Sequence, residues 1–238
     1  MDRPAVAPER LCGVREVVDG VFELRLGFGN VNVNVHAVRT DDGVVLVDTG
    51  LPGQTAVIER ALRGIGRHLG EVTAILLTHH HPDHAGSAAQ VRERTGARLI
   101  AHAAEAPFVN GAFPAEEPAG RLKKFLFRRI GRVEPTRVDQ LAGDGAEPIP
   151  GFTALHTPGH TRGHLCFLLD RAGGVLFAGD AAASSGGRVT GLTVVADPER
   201  AVQSLARLAE RDFEHAVFGH GPAISGGAAA RFREAVAP

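Results

Sequence analysis

The sequence predicts an α/β (α+β) chain in which two β-sheets pack face to face with helices outside. Strand signals fall into two groups, each followed by helical segments, and elements in that order bury their apolar faces best as stacked layers. Histidines and carboxylates also gather in loops that leave strands, where a rigid scaffold commonly presents functional groups.

Val21 to Leu26, Val31 to Val38 and Gly43 to Val47 read as short strands, because β-branched residues alternate or cluster there and glycines or the Asp41-Asp42-Gly43 turn separate them. From Gln54 to Leu69 the apolar residues Val57, Ile58, Leu62, Ile65 and Leu69 follow helical spacing, with Gly70 as the stop. Thr73 to Leu77 is a buried strand, and the loop leaving it carries the histidine cluster. Ala88 to Thr95 reads as a helix and Ala97 to Ala101 as a strand. Residues 106–135 break the rhythm with Pro107, Pro114, Pro118 and Pro135, and predict an insert whose basic segment, Arg121 to Arg132, is helical. Strand signals resume at Phe152 to Leu155, Gly163 to Leu169 and Gly174 to Ala178. Pro198 sits at the first position of a helix over Glu199 to Arg211; Ala216 to Gly219 is a final strand and Gly227 to Val236 a closing helix.

At 238 residues and 44% hydrophobic content the chain fits one domain, residues 1–238. Its formal charge of −1 offers no general attraction for nucleic acid or a membrane. Two cysteines, Cys12 and Cys166, are too few for a disulfide framework and suit a reducing, cytoplasmic setting. No apolar leader and no run of 18 apolar residues predicts a membrane span. Oligomeric state is left open.

The chemistry starts with Thr78-His79-His80-His81-Pro82-Asp83-His84. In an extended or turning loop, residues two apart point the same way, so His79 and His81 can hold one cation while Asp83 and His84 turn toward a second. Two coordination shells need more donors, and other strand ends supply them: His160 in Thr157-Pro158-Gly159-His160-Thr161-Arg162-Gly163-His164, Asp180 after Phe177-Ala178-Gly179, and His220 in Phe218-Gly219-His220-Gly221-Pro222. These donors are all nitrogen and oxygen, which suits zinc and is compatible with iron or manganese. No G-x-S-x-G elbow, Walker loop or dinucleotide fingerprint competes with this reading.

Those four segments, preceded by Leu46-Val47-Asp48-Thr49-Gly50, resemble the metallo-β-lactamase-fold hydrolase superfamily over nearly the whole chain. The resemblance implies a four-layer αββα sandwich of two mixed sheets. It implies two divalent metal ions: His79, His81 and His160 on the first, Asp83, His84 and His220 on the second, and Asp180 bridging. Asp48 matches an aspartate that supports the ligand histidines, an orientation such sites commonly need. Two cations with Asp83 and Asp180 as their only anionic ligands acidify a shared water toward neutral pH, which makes these two carboxylates the catalytic candidates.

The implied activity is hydrolysis of an ester, thioester or lactone of a small molecule. A bridging Asp180 departs from the true β-lactamases. The Thr157–His164 segment is similar to that of glyoxalase II thioesterases, whose C-terminal helical region has no counterpart in the 18 residues after His220. Acyl-homoserine lactonases share all seven ligands but place a tyrosine beside the metals, and this chain has no tyrosine. Persulfide dioxygenases, which use one iron on the same fold, are the alternative class. The insert at 106–135, between His84 and His160, is expected to act as a lid, with Phe108, Phe113, Phe125 and Phe127 as candidates for an apolar acyl pocket. No substrate-binding residue is assigned.

Overall fold

A computed structural model describes residues 13–28, 31–114, 133–191 and 195–237. The first half builds a seven-stranded sheet in chain order: β1 (Gly13–Val18), β2 (Val21–Phe28), β3 (Val31–Thr40), β4 (Gly43–Val47), β5 (Val72–Leu76), β6 (Arg98–Ala101) and β7 (Gln140–Leu141). The strands from β1 to β4 form an antiparallel meander, and β4 to β7 run parallel. Helices α1 (Thr55–Gly64) and α3 (Ala88–Thr95) supply the crossovers that parallel neighbours require. Two short helices, α2 (Pro82–Ala85) and α4 (Ala106–Val109), follow β5 and β6.

The second half builds a five-stranded mixed sheet from β8 (Phe152–His156), β9 (Leu165–Leu169), β10 (Val175–Phe177), β13 (His215–Val217) and β14 (Ile224–Ser225), in the order β14-β13-β10-β9-β8. Between β10 and β13 lie a small hairpin, β11 (Ala183–Ser185) and β12 (Arg188–Thr190), and helix α5 (Pro198–Ala209); α6 (Ala228–Val236) closes the chain. Asp197 caps α5 by accepting from the Arg200 amide at 3.1 Å, and Pro198 occupies its first turn.

Three apolar layers hold the elements together. Between the sheets, Val21, Val45, Val47 and Leu76 meet Phe152, Phe167, Val175 and Phe177. The outer face of the first sheet packs Leu24, Val35 and Leu46 against Ile58 and Leu62 of α1 and Val91 of α3. The outer face of the second packs Cys166, Leu176 and Phe218 against Leu208 of α5 and Phe232 of α6. The expected four-layer αββα sandwich of two mixed sheets is therefore present, with Cys166 in its core as a buried thiol whose pKa burial pushes up to about 12.

Several local expectations need correction. The first helix ends at Gly64 rather than Leu69. Gly66 adopts φ +72°, its amide donates to Arg63 O at 3.0 Å, and the Arg67 amide donates to Leu62 O at 2.9 Å. That pair of bonds around a left-handed glycine terminates the helix although the apolar spacing continues. The histidine loop contains the one-turn helix α2, begun by Pro82. Strand β1 went unread because its edge position leaves most of it exposed, without inward alternation. The basic segment Arg121 to Arg132, with Phe125 and Phe127, lies outside the described residues.

Phe167 is fully buried between the sheets, whereas Leu141 at the far strand is 59% exposed. Phe167→Ala is expected to cost about 3–5 kcal/mol and Leu141→Ala less than about 0.5 kcal/mol. Urea unfolding of both variants checks the layer assignment, and equal losses would contradict it.

Candidate metal centre

Five strand ends meet at one edge of the sandwich. Asp48 follows β4, the Thr78–His84 segment follows β5, His160 lies in the turn after β8, Asp180 follows β10 and His220 follows β13. Close approach at this edge depends on glycine: a Cβ on Gly219 would lie 2.4 Å from an Asp180 carboxylate oxygen and 2.6 Å from the His84 ring. Gly179 combines φ +51° with contacts under 3 Å to His164 and Thr78 that a Cβ would make.

All seven predicted donors come together there. His79 Nε2, His81 Nδ1 and His160 Nε2 form a triangle with edges of 3.1, 3.1 and 2.9 Å. Tetrahedral zinc with Zn–N bonds of about 2.0–2.1 Å separates its ligand atoms by roughly 3.3 Å, so the triangle fits one such ion with a small expansion. Asp83 Oδ2 lies 3.3 Å from His220 Nε2 and 3.7 Å from His84 Nε2, which makes a second set. Asp180 spans both: Oδ1 is 3.3 Å from His84 Nε2, and Oδ2 is 3.4 Å from both His160 Nε2 and His220 Nε2. His84 Nε2 and Asp180 Oδ1 are buried without an aligned hydrogen bond among the described residues. Orphaned polar atoms at this depth are costly unless something binds them, and a nitrogen–oxygen donor set of this kind suits a divalent cation.

The orientation of the rings is built in from behind. Asp48 Oδ2 takes His84 Nδ1 at 2.7 Å, and its carboxylate also accepts from the Thr78 amide at 2.8 Å and the Thr78 hydroxyl at 2.8 Å. With its proton committed to Asp48, the Thr78 hydroxyl accepts from His79 Nδ1 at 3.0 Å. Both imidazoles therefore turn Nε2 toward the donor sets. Asp48 itself sits at φ +63°, in the left-handed region that aspartate tolerates better than most residues. His164 is fully buried, bonded through Nδ1 to the Thr157 hydroxyl at 2.9 Å, and its Nε2 accepts from the Asp180 amide at 2.9 Å. It thus fixes the backbone that carries Asp180.

Electrostatics divides six of the donors. Burial lowers His79 well below its ordinary value and His81 to about 3, helped by neighbouring imidazoles. Burial also disfavours the charged forms of His84 and His220, but the surrounding carboxylates outweigh it, raising His84 well above the ordinary range and His220 to about 10. The same attraction overcomes burial at Asp83, held at about 2, and at Asp180. The first set therefore includes two neutral imidazoles, His79 and His81, and the other is a charged cluster whose imidazolium charge a cation would replace.

Four contributors escaped the sequence reading. Glu105, in the loop before α4, is 1% exposed. It accepts from the His80 amide at 2.9 Å, from His80 Nδ1, from the Thr161 hydroxyl at 2.8 Å and from the Gly163 amide at 2.7 Å. Burial would raise its pKa, but those bonds hold it at about 2. Asn34 of β3 reaches the strand end that carries His220. Thr78 orients His79 as above, and His36 is buried beside the centre. Thr78 adjoins a donor and so had a signal in the motif itself; Glu105, 25 residues from His80, has none. His80 turns away from the donor sets and stacks on Phe108 with centroids 4.0 Å apart. His80 and Phe108 help line a cavity of ≈ 440 Å³ with Pro158, Arg162 and Arg200, while Phe113 is 53% exposed.

His36 carries a pH prediction. Burial first, then the nearby His84, lowers its pKa to about 3. The unfolded chain protonates His36 near 6.5, so between pH 6.5 and 3 it holds a proton that the folded chain does not. The contribution is whole above pH 6.5 and is lost as pH falls toward 3, roughly 2 kcal/mol being gone at pH 5. Replacing His36 with Leu should shrink the difference in unfolding free energy between pH 7 and pH 5 by about that amount; an unchanged difference would contradict the assignment.

The family model described as the metallo-beta-lactamase superfamily matches residues 28–220. The chain is 29% identical over 233 residues to the probable metallo-hydrolase YflN of Bacillus subtilis (strain 168), covering 89% of this chain and 87% of that one. It is 36% identical over 160 residues to a hydroxyacylglutathione hydrolase of Cupriavidus taiwanensis, covering 66% of this chain and 52% of that enzyme. The crystal structure of a metallo-beta-lactamase family protein from Thermus thermophilus superposes with a TM-score of 0.70 at 28% identity, over 92% of this chain and 79% of that one. With the matched region spanning all seven donors and most of the strands that present them, this chain belongs to the metallo-beta-lactamase superfamily, a group of metal-dependent hydrolases.

Proposed function

We propose that the chain is a dinuclear metal-dependent hydrolase that cleaves an ester, thioester or lactone of a small molecule. The observation that carries this reading is Asp180, one carboxylate facing His84 with one oxygen and both His160 and His220 with the other. His79, His81 and His160 would hold one ion; Asp83, His84 and His220 the other; Asp180 both. Zinc fits this donor set best, with iron or manganese compatible. When bound, two such cations supply Lewis acidity and a water acidified toward neutral pH.

The chain's own groups do the rest. Asp180 is nearly enclosed and serves as a fixed negative charge between the imidazoles, while the Asp83 side chain keeps 27% exposure. In this reading the Asp83 carboxylate, through the oxygen that the ion does not engage, would take the proton lost by the attacking water and return it to the leaving oxygen or sulfur. Asp48 keeps His84 in the tautomer that presents Nε2. In the cavity an acyl chain would lie against Phe108 and Pro158, with the charged Arg162, Asp197 and Arg200 beside it, and a small substrate rather than nucleic acid matches the balanced charge. A cytoplasmic location and a single catalytic domain complete the reading.

A panel of unactivated lactones, thioesters and esters of graded chain length, tested with metal-defined protein, checks it. Hydrolysis should vanish on chelation and return with zinc. Asp83→Asn should lower kcat by on the order of 10²–10⁴-fold. Oxygen uptake with a persulfide by iron-loaded protein, in place of hydrolysis, would overturn the reading in favour of an oxidoreductase.

A further inference from the structure

We infer that Glu105 and Asn34 are positioning residues, each holding one of the two donor sets together across the seam between the sheets. This rests on the dinuclear reading above. Each set draws ligands from both halves of the chain: His79 and His81 join His160 from 79 residues farther on, and Asp83 and His84 join His220. A cation holds such groups more tightly when the loops already stand at the right separation, because ordering them on binding would subtract from affinity.

Glu105 spans the first seam. Oε2 receives both His80 donors, between ligands His79 and His81; Oε1 receives Thr161 and Gly163, beside ligand His160. Four bonds converge on one carboxylate that is 1% exposed. Gly163 permits this approach, since a Cβ there would lie 2.7 Å from Oε1.

Asn34 spans the second seam. Its amide donates to Gly219 O at 2.9 Å, and its side-chain Nδ2 donates to Phe218 O at 3.0 Å and to Gly221 O at 2.7 Å. These carbonyls flank His220 on both sides. Asn34 is 1% exposed and belongs to β3 of the first sheet, whereas the 218–221 segment follows β13 of the second. Neither residue faces the donor sets directly, so each acts through the loop it holds.

Zinc titration with measured stoichiometry, together with the absorption spectrum of the cobalt-substituted protein, tests the assignment. Wild type should take two ions. Glu105→Gln places an amide N–H against donors and should weaken one site by roughly 10–100-fold, giving a cobalt spectrum like that of His81→Ala. Asn34→Ala should weaken the other site by a similar factor, with a spectrum like that of Asp83→Ala. Should either variant fail to fold, Thr161→Val and Asn34→Ser, which delete fewer bonds, carry the same test. A general loss of packing would lower the melting temperature and weaken both sites alike, and that result, or unchanged binding at both, overturns the inference. A wild-type protein that takes fewer than two ions would instead defeat the dinuclear reading on which it rests.

Discussion

The constraint on which the rest of the molecule depends is the convergence of buried nitrogen and oxygen donors on one edge of the sandwich. Three imidazole nitrogens stand about 3 Å apart at His79, His81 and His160, and a second group sets His84 and His220 against Asp83 and Asp180. Left to themselves, the three nitrogens of the first group would crowd lone pair against lone pair, and in the second His84 Nε2 and Asp180 Oδ1 forgo an aligned hydrogen bond, at a cost of about 1–3 kcal/mol for each orphaned group. A folded chain keeps that arrangement only where the scaffold is rigid enough to impose it.

The scaffold meets this demand through its layers. Fully buried Phe167 and Phe177 fix the spacing between sheets, and the strand ends that emerge from this packing inherit it. Polar groups then refine what packing leaves loose: Asp48 orders His84 and Thr78, His164 holds the Asp180 amide, and Glu105 and Asn34 bridge the halves. Glycine at 219 leaves room where any side chain would collide with the donors Asp180 and His84, and glycine at 179 where one would collide with His164 and Thr78 behind them. The strained backbone at Asp48 is the kind of local cost that functional edges carry and the surrounding structure sustains.

Much of this was legible in the sequence because the relevant signals are local. The donor motifs name their own residues, and the strand-then-loop order places them at strand ends; all seven meet in space. The two-sheet layering followed from apolar alternation and from the resemblance those motifs carry. Local signals also misled: helical spacing from Gln54 to Leu69 continued past the point where Gly66 ends the helix, since periodicity records which face is apolar and not where hydrogen bonding stops. Edge strand β1, with its exposed side chains, gave no alternation to read. Glu105 was invisible for a deeper reason: nothing near it in sequence announces that its carboxylate will meet loops 25 and 56 residues away.

The central claim is that these seven side chains cage two ions at one edge. Anomalous scattering at the zinc edge, from crystals soaked in excess zinc, tests it most directly. The account predicts two peaks roughly 3.5–4 Å apart, one within about 2.0–2.1 Å of the nitrogens of His79, His81 and His160, with Asp180 between them. An edge with no anomalous density, or a lone peak elsewhere on the molecule, would contradict it.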